Sequence, residues 1–253
     1  VTGEAEAATP QAQLLVDATA RAVESELLVA RLRARAEQGL RIPGRRRRAS
    51  APASSSRTTL RVLGRTLAVI DVVGEGSERV TELSARHAEI LLMLATHREG
   101  LSAAALAALV YGDDASPDTV RPEVVRLRRV LDRTAPHLAP QSRPYRLSGA
   151  LETDARDVLS LLDRGAHRVA LAAYRGPVLP DSTAPGVEEL REMMRIAVRE
   201  ALLSEASVDV LLQYAGTAEG ADDVEVLQAC LRLLPARSPK RAGLVARIER
   251  LES

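Results

Sequence analysis

The sequence predicts a mainly α-helical fold with a small antiparallel β component. Three observations carry that expectation. Apolar residues make up 46% of the chain but aromatic residues only 2%, with no Phe and no Trp. Any core is therefore Leu, Val and Ala, which suits packed helices better than an aromatic-rich β-sandwich. A period of two is confined to short stretches after Thr59 and around Tyr145, whereas apolar residues recur at helical spacing elsewhere. Through the last hundred residues Gly, Pro and Ser separate one amphipathic segment from the next.

The elements follow in order. "TPQAQLLVDATARAVESELLVARLRARAEQG" has Thr9 as a cap, Pro10 at the favoured first position and Gly39 as a stop, so a long helix is expected within residues 1–42. Its seam of Val16, Ala20, Val23, Leu27 and Ala30 can dock on an upstream domain or on a second copy, and both stay open. Residues 43–58 lack apolar periodicity and read as a flexible basic linker. In residues 59–153, "TLRVLG", "TLAVIDVVG" and "RVTEL" are expected strands, with turns at Gly64-Arg65 and "GEGSE". Ser84 and Ser102 are expected to cap two helices that end at Gly100 and Gly112. A third helix follows "DDASPD", and "PYRLSGALETD" reads as a hairpin turning near Ser148–Ala150. Three strands, three helices and a hairpin make a winged helix-turn-helix order. Residues 154–253 hold six amphipathic segments, which suggests stacked helical hairpins of the tetratricopeptide kind.

Charge is unevenly placed. The formal net charge is only +1, so the whole chain is not a nucleic-acid binder by balance. Residues 43–58 nevertheless carry five Arg and no acid, and Arg45, Arg46, Arg47 and Arg48 are adjacent. Such a run is expected to add phosphate contacts without sequence preference. A single cysteine, Cys230, allows no internal disulfide and suits a reducing, cytoplasmic setting. No apolar run reaches bilayer length, and "VTGEAEAATP" lacks the form of a signal peptide. Valine as first residue points to a fragment whose start lies upstream. His87, His97, His137 and His167 are not spaced as metal ligands, and no nucleophile-elbow or P-loop pattern occurs. The expectation is a non-enzyme without cofactor or metal.

The decisive stretch is "SPDTVRPEVVRLRRVL". Val120, Val124, Leu127 and Leu131 fall at i, i+4, i+7 and i+11, one stripe of a helix. Packing that stripe on the two preceding helices leaves Arg121, Glu123, Val125, Arg126 and Arg129 facing outward, with Arg128 at the core edge. A major groove about 12 Å wide admits one helix. Arg can bind guanine bidentately or hold phosphate, Glu123 can accept from cytosine, and Val125 can meet a thymine methyl. The ordinary alternative is a solvated face with i,i+4 pairing, such as Arg128 with Asp132. Arg143 and Arg146 lie on the expected wing, in reach of minor groove or backbone.

"LSARHAEILLMLATHREGLSAAALAALVYGDDASPDTVRPEVVRLRRVL" resembles the DNA-binding domain of bacterial response regulators and of antibiotic-regulatory-protein activators. In those families the pattern matched by Thr119 to Leu131 lies on the recognition helix, which implies a DNA-facing role for Thr119 as well. "ALAAYRGPVLPDSTAPGVEELREMM" resembles the bacterial transcriptional activator domain, where the motif matched by Tyr174 to Pro180 joins two helices. "VTGEAEAATPQAQLLVDATARAVESELL" resembles the end of a GAF-type sensor domain. Pro122 departs from the recognition-helix pattern: a proline lacks a backbone donor and clashes with the preceding turn. It fits where the helix starts near Thr119, since the first donors have no partner there. A late start and a kink both stay open.

These features and resemblances together imply a sequence-specific double-stranded DNA-binding regulator, an activator working as a homodimer. Its helical domain would contact itself or RNA polymerase, and a small-molecule effector would act only through an upstream domain. A protein-interaction scaffold, whose winged helix binds protein, is the alternative from another class. No membrane partner is expected.

Overall fold

The computed structural model describes residues 57–74 and 77–253. The expected helix Thr9–Gly39 and the linker residues Arg45, Arg46, Arg47 and Arg48 lie outside them. The architecture is mainly helical with a small mixed sheet.

The sheet begins with β1 (Arg57–Arg61), β2 (Val69–Gly74) and β3 (Ser77–Glu82), paired antiparallel in sequence. Leu60 faces Ile70 across the first pair, and both are fully buried. The linker boundary expected at 58 moves: Arg57 and Thr58 already belong to β1. Arg57 donates from Nε to Glu152 (2.6 Å), and Thr58 Oγ1 meets His137 Nε2 at 3.0 Å.

Three helices follow, α1 (Ala85–Thr96), α2 (Ala103–Tyr111) and α3 (Val120–Thr134). Ser84 Oγ accepts from His87 N and Ser102 Oγ from Ala105 N, the expected caps. The first helix ends earlier than Gly100, because the backbone turns away at His97, whose N–H closes on Met93 O. Ser116 caps a 3-10 turn over Pro117–Thr119 that runs directly into α3. Pro122 therefore sits in the first turn of α3, where its missing N–H leaves no carbonyl unsatisfied.

The expected hairpin is displaced. Its strands are β4 (Pro140–Gln141) and β5 (Arg146–Leu147), so the chain reverses through residues 142–145 and not at Ser148–Ala150. Two contacts fix that register. Tyr145 and Leu101 exchange both backbone hydrogen bonds at 2.8 Å, and Arg128 binds Pro140 O and Ser142 Oγ at 2.7 Å each. Glu152 and Thr153 form β6, which leaves the hairpin and pairs parallel with β1.

The remaining helices are α4 (Asp154–Asp163), α5 (His167–Ala173), α6 (Pro185–Glu205), α7 (Val208–Tyr214), α8 (Val224–Leu233) and α9 (Lys240–Glu252). They share one apolar core with the sheet and α1–α3. The Asp154 carboxylate accepts from Val62 N and Leu63 N at 3.0 and 3.2 Å, joining α4 to the end of β1. Burial pushes that carboxyl up from its ordinary range against those stabilising bonds. Leu179 N donates to Val62 O (3.0 Å) and Gly64 N to Pro177 O (2.8 Å). Gly64 has φ +63°, and a Cβ there would lie 2.3 Å from Arg175 O, so glycine is required twice over. Arg191 of α6 locks the same loop by donating to the carbonyls of Val178, Leu179 and Ser182.

At Gly186 one helix comes close to two others. A Cβ there would come within 2.5 Å of Met93 Sδ and 3.0 Å of Leu109 Cδ2, so α6 rests directly on α1 and α2. Beside it the buried Glu89 accepts from Ser182 Oγ (2.6 Å) and pairs with Arg86 Nη1 (2.8 Å). Arg86 also donates to Val110 O and lies over the Tyr111 ring, 4.2 Å from its centroid. Gly243 of α9, by contrast, has open space around its missing Cβ. Gly186→Ala should lower stability by about 1–3 kcal/mol through overpacking, while Gly243→Ala should raise it by up to about 1 kcal/mol through helix propensity. Urea midpoints of the two variants test this, and a rise in both would contradict the close packing at Gly186.

Candidate nucleic-acid interface

The rotation of α3 follows from its apolar stripe. Val120, Val124, Leu127 and Leu131 are each 0–1% exposed, packed under α1 and α2. At 100° per residue the opposite face then carries Arg121, Val125, Arg126 and Arg129, and all four are exposed. Val125 is 38% exposed, an apolar side chain in the middle of a cationic face. Arg121 and Val125 also line an open cleft of about 610 Å³ between α3, the start of α2 and the β4–β5 turn. Arg143 lines the cleft from the turn, where its backbone takes φ +67°.

Other expected site residues are engaged. Thr119 donates its hydroxyl to Ser116 O (2.6 Å) and so closes the 3-10 turn, although its side chain remains at the surface. Arg146 donates from Nε to Gln141 Oε1 (2.9 Å), bracing the two hairpin strands. Glu123 does not stand free on the outward face. Its side chain is only 21% exposed and pairs with Arg126 Nη1 on one side. On the other side it lies 3.7 Å from His87 Nε2 of α1. The spacing placed Glu123 outward because it sits between the stripe and the arginine face, and the neighbouring α1 covers it.

Arg128 is the residue whose contacts spacing alone could not place. In place of the Asp132 pairing that a solvated face would offer, it binds Pro140 O and Ser142 Oγ of the hairpin. The tie fixes the distance between α3 and the turn bearing Arg143. The available signal was its position at the edge of the stripe, but the partner lies 12–14 residues away and has no sequence periodicity.

Among the described residues no cluster of His, Cys, Asp or Glu could hold a metal ion. None of their helices is long and apolar enough to cross a membrane. Tyr174 OH donates to Glu219 Oε1 (2.9 Å), and burial pushes both groups above their ordinary ranges. Burial likewise holds Tyr214 at about 12. These groups belong to the packing of the helical half and lie away from the arginine face in sequence and element.

The chain is similar to one described family and to one known protein. Residues 207–253, which hold α7 to α9, match the family described as YTH3-like protein, third C-terminal helical domain. Over its whole length the chain is 36% identical to an uncharacterized 47.3 kDa protein in the thcA 5′ region of Rhodococcus erythropolis. The aligned region covers 52% of that relative, so the chain spans about half its length. No solved structure matches.

His87 bears on the stability of the interface. Burial pushes its imidazolium pKa down, Glu123 opposes this, and Arg126 adds to the lowering. A folded pKa below the unfolded one means the unfolded chain takes up the proton first. The contribution of His87 is therefore present above the ordinary value of about 6.5 and is lost as pH falls below it. The urea midpoint of the wild type should fall more than that of His87→Gln between pH 7.5 and pH 5. Equal or smaller losses in the wild type would remove His87 as the source.

Proposed function

We propose that the chain is a sequence-specific double-stranded DNA-binding transcriptional regulator. In this reading residues 57–153 are a winged helix-turn-helix, with α3 as recognition helix and the β4–β5 turn as wing. The observation that carries it is the exposed face of α3, where Arg121, Arg126 and Arg129 surround Val125 beside a cleft lined by Arg143. Such a face suits a major groove: arginine forks meet guanine edges or phosphates, and a valine meets a thymine methyl. Arg143 at the turn is placed for an adjacent phosphate or minor groove. A purely solvated helix needs neither the apolar residue among the cations nor the cleft.

The helical half, residues 154–253, is proposed as an activator-type domain of stacked, tetratricopeptide-like hairpins that contacts a second copy or RNA polymerase. The resemblance of the first residues to a GAF-type sensor supports control by a small-molecule effector through an upstream domain. Arg45, Arg46, Arg47 and Arg48 would add salt-dependent affinity without sequence preference.

Binding to duplex DNA should weaken steeply with salt, and Arg126→Ala should weaken it by about 1–3 kcal/mol at one fixed moderate salt. Unchanged affinity would take Arg126 out of the interface. A single winged helix buries only a modest area, about 600–1,000 Å² for one module, so two protomers on two half-sites are expected. Half-sites should lie about one helical turn apart, roughly 10–11 bp, and direct repeats suit a long linker. Inserting 5 bp between them, read by gel shift, should abolish cooperativity. Cooperative binding that survives the insertion would contradict the paired arrangement.

A further inference from the structure

Glu123 has no place in the cation face it borders, and its geometry gives it one. Its carboxylate is held from two helices. One oxygen pairs with Arg126 Nη1 on the next turn of α3, and the other lies 3.7 Å from His87 Nε2 on α1. The acid is mostly covered, while the arginine it holds is 62% exposed. An acid in the first turn of a helix also sits well with the positive end of the helix dipole. The carboxylate is therefore a fixed anchor, and the guanidinium is the part that reaches outward.

We infer that Glu123 is a positioning residue, which orients Arg126 for reading one base pair. This rests on the DNA-binding reading above. Guanidinium is a rigid planar fork with five N–H donors. With Nη1 held by Glu123, the Nε–Nη2 edge stays available to make the two parallel bonds to guanine O6 and N7, while the competing Nη1–Nη2 end is occupied. A free Arg126 would sample many rotamers and would bind phosphate as readily as base. The same carboxylate removes one unit of positive charge from a face meant for a polyanion. Glu123 thereby lowers affinity for every sequence and raises the difference between sequences. This role differs from direct reading of a cytosine, because the oxygens are turned toward Arg126 and His87.

The test is equilibrium binding of the full chain to a duplex recovered by selection from random DNA, and to its single-base-pair variants, at fixed salt. Arg126→Ala should relax discrimination at one base pair. Glu123→Ala should relax the same base pair, by roughly tenfold, while binding to unrelated duplex stays equal or tightens. Glu123→Gln, which keeps an acceptor without the charge, should fall between wild type and Glu123→Ala. It also serves as the folded control if the alanine variant is unstable. In addition, the NMR titration of His87 should move down in pH in Glu123→Gln, since a carboxylate that favours the imidazolium is gone. Wild-type discrimination in both Glu123 variants overturns the inference and leaves the DNA-binding reading intact. So does relaxation at a base pair other than the one Arg126 controls. A wild-type chain that selects no sequence overturns both.

Discussion

Four aliphatic side chains set the direction of every arginine on α3. Val120, Val124, Leu127 and Leu131 are the only fully buried residues of a helix otherwise dominated by charge. The buried residues of α1, α2 and α3 are aliphatic apart from Met93 and Glu89, so their Leu, Val, Ile and Ala layers must interlock closely. Rotating α3 by one residue would bury Arg128 or Glu123 without adequate partners, at a cost of several kcal/mol. The rotation is thus fixed by packing, and the cationic face follows from it.

The helical half braces that arrangement. Gly186 lets α6 rest against Met93 and Leu109, and buried Glu89 joins α1 to the loop at Ser182. Asp154 and the 177–179 segment tie the same half to the end of β1. Thr153 of β6 runs directly into Asp154 of α4, with no intervening loop. Arg128 performs the corresponding task on the other side, holding the β4–β5 hairpin to α3.

Much of this was legible in the sequence. Ser84 and Ser102 cap helices as their types and positions indicate, and Gly112 ends α2 where expected. The α3 stripe and its outward residues Arg121, Val125, Arg126 and Arg129 came from periodicity alone. Local rules did not reach contacts between distant segments. The hairpin register depends on Leu101 and on Arg128, both outside the hairpin, so turn residues at 148–150 misplaced it. Glu123 was misplaced for a similar reason: its burial comes from α1, some 36 residues earlier. Gly186 gave no local signal at all, because a glycine in the first turn of a helix has several ordinary explanations. The roles of residues 1–56 rest on the sequence.

The arginine face of α3 is proposed to select DNA by sequence. Purified chain can be mixed with sheared genomic DNA at moderate salt, and the bound fragments sequenced, beside a variant carrying Arg126→Ala and Arg129→Ala. The wild type should enrich fragments sharing a short common sequence, and the folded variant should lose this enrichment. No common sequence in the wild-type pool, or the same sequence in both pools, would contradict it.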